Sequence, residues 1–159
     1  MSYKAIDLFS GAGGLHIGFE EAGFDIKLCI DNDALVERTH KRNFPNIPMI
    51  NRDIRTIPSE EIRSYLGDGS VDVIIGGPPC QGFSTIGKRV SSDPEKRAKH
   101  DPRNELVLTY ARIIRELRPK FIVMENVKGI LTLQDGAYLQ NVLSQLHEAG
   151  YNAKYKLIN

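Results

Sequence analysis

Short apolar runs alternate along the chain with stretches whose apolar residues recur at helical spacing, the pattern of strands and helices wound about a parallel sheet. Ala5 to Phe9 reads as the first strand, and after a glycine cluster Leu15 to Ala22 reads as a helix stopped by Gly23. Asp25 to Ile30 is a second strand and Ala34 to Asn43 a second helix; Pro45 and Pro48 then punctuate before a short strand at Met49-Ile50. Ser59, with Glu61 and Ile62 behind Pro58, opens a third helix. Val71 to Ile75 is the most apolar strand, Asn104 to Leu117 a long helix, Phe121 to Glu125 a strand and Gly136 to Ala149 the last helix. Tyr151 to Ile158 alternates as a final strand would. No internal repeat interrupts this order. Thr85 to Arg103 stands apart: almost no apolar content, two Asp-Pro steps, and six basic against three acidic side chains predict a long mobile loop of the lid or binding kind.

Composition narrows the class. The 159 residues are one domain's worth of chain, and 41% hydrophobic with 26% charged residues argues against disorder. Apolar runs such as Phe121 to Met124 are far short of the roughly 18 to 20 residues that cross a bilayer, so no membrane span is expected. Met1-Ser2-Tyr3-Lys4 leads into an apolar run that meets Asp7 at once, so no signal peptide is read and the cytoplasm is the expected location. Cys29 and Cys80 are too few for a disulfide framework, and no histidine pair sits at zinc-ligand spacing beside them, so no metal is expected. With 21 basic against 20 acidic side chains, any nucleic-acid-facing charge must be local.

Three motifs carry chemistry. In Asp7-Leu8-Phe9-Ser10-Gly11-Ala12-Gly13-Gly14 a strand runs into glycines and then a helix, which lets the backbone turn sharply and a ligand approach the helix N-terminus. A dinucleotide fingerprint would need glycine where His16 stands, so a dinucleotide site is only partly supported and the spacing indicates a nucleoside, not necessarily a dinucleotide. Asp31, ending the second strand, is at the separation where an acid accepts ribose hydroxyls, and Asp53 after the third strand is placed to accept an adenine amino group. Both also fit a helix cap or turn. The second motif, Gly76-Gly77-Pro78-Pro79-Cys80-Gln81-Gly82-Phe83-Ser84, sits where open α/β sheets bind ligands. Its prolines hold Cys80 rigidly as a nucleophile requires, whereas Cys29, inside a strand, reads as a small buried hydrophobe. Gly82, Gly87 and Lys88 match part of a phosphate loop, but Arg89 stands where a magnesium-holding hydroxyl is needed, which argues against a nucleoside triphosphatase. The third motif, Met124-Glu125-Asn126-Val127, ends a strand expected beside the fourth, so Glu125 would share the crevice with Cys80 and, partly buried, donate a proton near neutrality.

In this order and spacing the three motifs closely resemble those of the cytosine-5 DNA methyltransferases. The resemblance implies a Rossmann-like S-adenosylmethionine-dependent methyltransferase fold with a mostly parallel sheet, here truncated. It implies a cofactor site of Phe9, Gly11, Gly13, Asp31, Asp53 and Pro79, with Cys80 as nucleophile and Glu125 as the assisting acid. It implies no metal, and double-stranded DNA as partner of the complete enzyme, in restriction-modification or gene regulation. The basic loop bearing Lys88, Arg89, Lys96, Arg97 and Lys99 would close over DNA around a flipped base. Residues 1–159 are then the N-terminal part of the catalytic domain, without the target-recognition domain or the C-terminal segment, and alone are expected to be inactive. The missing seventh strand of that fold predicts an unpaired edge near Phe121 to Glu125 and self-association through it. A transfer-RNA cytosine methyltransferase shares the motifs; a non-catalytic regulator keeping the fold does not need an intact Cys80 and Glu125.

Overall fold

The computed structural model describes residues 2–79, 104–132 and 136–158. They divide into two compact units, Met1–Pro78 with Glu116–Glu125, and Pro79–Arg115 with Asn126–Asn159.

The first unit holds the sheet. Its strands are β1 (Lys4–Leu8), β2 (Asp25–Asp31), β3 (Met49–Asn51), β4 (Val73–Gly76) and β5 (Phe121–Met124), with helices α1 (Gly14–Glu21), α2 (Ala34–Asn43) and α3 (Ser59–Ser64) between them. The order is β3-β2-β1-β4-β5 and all four pairings are parallel. Strands buried on both faces favour apolar residues on both, which is why β4 reads as a continuous run and β1 as a run interrupted by Asp7 rather than as alternating strands. One face buries Ala5, Ile26, Cys29, Val73 and Ile75, with Leu15, Phe19, Phe24, Ile47 and Met49 packed against them. On the other face Ile6, Leu28 and Ile74 are wholly buried. Asp33 caps α2 by accepting from the Leu35 amide at 2.7 Å, and His40, Lys41 and Arg42 sit in that helix's last turn, where cations suit the dipole.

The second unit contributes most of α4 (Asn104–Leu117), a 3₁₀ turn (Lys128–Leu131) and α5 (Ala137–Glu148). Tyr138, Leu139, Val142 and Leu146 form the buried stripe of α5, and Gly150, at φ 92°, ends that segment with its amide donating to the His147 carbonyl.

The predicted order of strands and helices holds as far as the last helix, and strands one, four and five are neighbours as expected. Element ends differ by one or two residues; the largest shift is in the fourth strand, which begins at Val73 rather than Val71. The final strand predicted over Tyr151 to Ile158 is overturned: these residues have no regular structure, and Tyr155 and Ile158 are strongly exposed. Alternation suits a pleat, but an extended segment closes no hydrogen bonds of its own and becomes a strand only against a partner. The mobile-loop reading of Thr85 to Arg103 falls on residues outside those described.

Candidate active site

The strand order reverses direction between β1 and β4, and at such a switch point the loops leaving the two strands part to open a crevice. Phe9, Asp31, Gly77 and Glu125 all lie immediately at or beyond carboxyl ends of strands, with Asp53 two residues past β3.

The glycine loop is built by backbone geometry. Phe9 leaves the strand at φ 64°, a left-handed conformation costing a non-glycine residue about 1–2 kcal/mol and held by the surrounding structure. The Ser10 amide donates to the Ile30 carbonyl at 3.0 Å, tying the loop to β2. Gly11 has φ 52°, and a Cβ there would meet nothing within 4 Å, so this side of the loop is open to a ligand. Gly13, at φ 99°, differs: its close neighbours would be His16 and Phe44, so packing demands glycine there.

Asp31 organises this loop. Its Oδ2 accepts from the Gly11 amide at 2.9 Å and its Oδ1 from the Asp33 amide at 3.0 Å. Each oxygen retains a second lone pair for another donor. Asn51, which the motif reading did not single out, donates through Nδ2 to the carbonyls of Asp31 and Asp33 and so pins the β2 exit. Asp53 caps the 3₁₀ turn Ile54–Thr56 through the Arg55 amide and pairs with the Arg55 guanidinium, Nη2 to Oδ2 at 2.6 Å. That hydrogen bonding holds the Asp53 carboxyl below the usual carboxylate range.

At the other strand ends the Glu125 amide donates to the Gly76 carbonyl at 3.0 Å. A Cβ on Gly77 would stand 3.0 Å from Glu125 Oε2, so glycine here admits the carboxylate into close approach. Glu125 is exposed rather than partly buried, because β5 is the last strand of the sheet among the described residues and gives it cover on one side only. Pro79 is half-buried. Cys80 lies outside the described residues, so its shared crevice with Glu125 rests on sequence order.

Beneath the glycine loop lies a polar group that motif reading missed. Asp7, His16 and Cys29 are wholly buried and His40 nearly so. A carboxylate in the middle of an apolar strand was the signal available in the sequence.

Comparison with known proteins agrees with the fold. A family model described as C-5 cytosine-specific DNA methylase matches residues 3–159. Type II methyltransferase M.XorII of Xanthomonas oryzae is 41% identical over 97% of this chain and 35% of its own length. M.AquIA of Picosynechococcus is 40% identical over 98% of the chain and 62% of its own. The chain thus spans about a third to three-fifths of these relatives. Among solved structures, a protein described as a DNA modification methyltransferase encoded within an E. coli prophage superposes with TM-score 0.76 at 35% identity, over 92% of this chain and 38% of that one. Spodoptera frugiperda DNMT2 gives 0.62 at 31% identity, over 91% and 41%.

Proposed function

Because the chain belongs to the C-5 cytosine-specific DNA methylase family, we propose that it is the cofactor-binding and catalytic part of a DNA (cytosine-5) methyltransferase. The reaction assigned to the whole enzyme is methylation of carbon 5 of a cytosine flipped out of double-stranded DNA, in a Type II restriction-modification setting. Reading of the DNA sequence is assigned to a part of the enzyme other than residues 1–159. The cytoplasm is the assigned location, where Cys80 stays a reduced thiol.

The observation that carries the reading is the approach of Glu125 to Gly77, three residues before Cys80 in the chain, beside the switch point where the glycine loop opens. The residues fit S-adenosyl-L-methionine. Gly11 has open space where a side chain would stand, the Asp31 oxygens retain lone pairs, and the buried Ser10 hydroxyl has no partner. Phe9, Gly11, Gly13, Asp31, Asp53 and Pro79 would hold it; Asp53, whose two oxygens now accept from Arg55, would accept the adenine amino group in exchange for part of that contact. Bound there, the cofactor supplies an electrophilic methyl group and leaves as S-adenosyl-L-homocysteine.

The chain's own residues supply the activation. Carbon 5 of cytosine is a poor nucleophile until an electron-rich group adds at carbon 6, which the Cys80 thiolate does, forming a carbon–sulfur bond. Negative charge then develops on the ring, and the Glu125 carboxyl, exposed in the chain alone and covered once the base is bound beside it, stabilises that charge by a proton or hydrogen bond to ring nitrogen 3. Once carbon 5 carries the methyl group, loss of its proton expels Cys80 and restores the ring. The base must leave the helix first, since neither atom is reachable in a stacked pair.

DNA bearing 5-fluorocytosine tests this directly, because fluorine at carbon 5 cannot leave as a proton does and the adduct persists. The complete enzyme with cofactor and such DNA is expected to give a denaturation-resistant complex mapping to the peptide of Cys80. A complete absence of adduct would sink the assignment.

A second copy of this chain is the proposed partner along β5. This strand ends the sheet among the described residues, and Phe121 on it is 70% exposed. Sedimentation of the chain at rising concentration should show dimers, weakened by Phe121→Lys; a monomer throughout speaks against it.

A further inference from the structure

We propose that His16, Cys29 and His40, with the Asp7 carboxylate beside them, form a buried structural site for one zinc ion. The expectation that no metal is present rests on spacing along the chain; the fold brings together residues from four elements. Asp7 on β1 and Cys29 on β2 are register partners, His16 stands on α1 and His40 on α2.

The geometry fits zinc. One donor atom from each of His16, Cys29 and His40 lies within 4.8 Å of the other two. A tetrahedral ion with bonds of about 2.0–2.3 Å separates its donors by about 3.3–3.8 Å. His16 Nδ1 already lies 3.4 Å from Cys29 Sγ and 3.3 Å from Asp7 Oδ2. His40 is oriented as a metal-bound histidine usually is: Nε2 meets the Ile47 carbonyl at 2.8 Å, so its proton goes there and the Nδ1 lone pair is left over. That Nδ1 is buried with no hydrogen-bond partner. Buried polar atoms are seldom left so, and a cation is what lone pairs converging in one place can share.

The charges also balance. Two nitrogens and a sulfur are the donors that zinc prefers, and thiolate with carboxylate supplies two negative charges against the ion's two positive ones, so the filled site is neutral in a core where net charge is costly. On binding, the Cys29 sulfur–hydrogen bond is replaced by a sulfur–zinc bond and the proton passes to solvent. With all ligands sealed from solvent, the ion would be structural, clamping β1, α1, β2 and α2 under the glycine loop.

The test uses the full chain, purified without a histidine tag, equilibrated with zinc and dialysed. Elemental analysis should find about one zinc per chain. Cobalt(II) in its place should show the visible bands of a tetrahedral site and a thiolate charge-transfer band. Cys29→Ala should abolish that band, and His40→Gln, which keeps a donor for the Ile47 carbonyl, should lower zinc content at least tenfold. The wild-type chain should also lose about 5 °C or more of melting temperature to a chelator and regain it with zinc, a reading that stands whether or not the variants fold. Zinc retained equally by folded variants, or a melting temperature indifferent to chelator and zinc, overturns the site.

Discussion

Cys80→Ser in the complete enzyme is expected to lower methyl transfer by at least about 10⁴-fold while cofactor and DNA binding change little. A serine hydroxyl at neutral pH holds almost none of the ionised form, whereas a cysteine is partly ionised and intrinsically far more nucleophilic. Without addition at carbon 6, carbon 5 has no electron density to offer, so the loss falls on the chemical step. Single-turnover rates with matched DNA-binding measurements separate the two. Serine turnover above about 1% of wild type would mean that the ring is activated by some other group.

Gly13→Ala is expected to lower stability by about 2–6 kcal/mol, a fall in melting temperature of roughly 5–20 °C. Two causes add. The backbone at Gly13 has φ 99°, which an alanine adopts only at a cost, and the new methyl would stand 2.6 Å from His16 Cε1 and 2.9 Å from both His16 Nε2 and Phe44 Cε2. Neither ring can retreat easily: His16 is wholly buried, and its ring meets Phe44 edge-on with centroids 4.4 Å apart. Gly11→Ala separates the causes, since it shares the positive φ but opens onto free space, and should cost only about 1–2 kcal/mol. Thermal melts of the two variants give the comparison. A Gly13→Ala chain melting within about 2 °C of wild type would show that the loop yields more readily than its packing implies.

Much of this was legible before any coordinates. Val73 to Gly76 is a run of buried apolar residues, and only a parallel sheet covered on both faces asks for such a run, so the fold class followed from local composition. Asp31 and Glu125 were placed correctly at strand ends because a strand's end is marked by the residues next to it. Asp53 was legible both as a ligand acid and as a turn cap; the cap is seen, with Arg55 as a partner that motif reading did not include. The last strand went wrong at Tyr151 to Ile158 because alternation describes one strand's faces and says nothing about its partner.

The sequence by itself determined the succession of elements and the kinds of side chain standing at their ends, since periodicity, prolines and glycines act within a few residues of themselves. Only the tertiary structure decided that Gly77 would lie against Glu125, and that Asp7, His16, Cys29 and His40 would meet under the glycine loop. The physical reason is that such meetings depend on the register between strands and the seating of helices on the sheet. Those are settled by the packing of the whole core, and no local stretch of residues contains them.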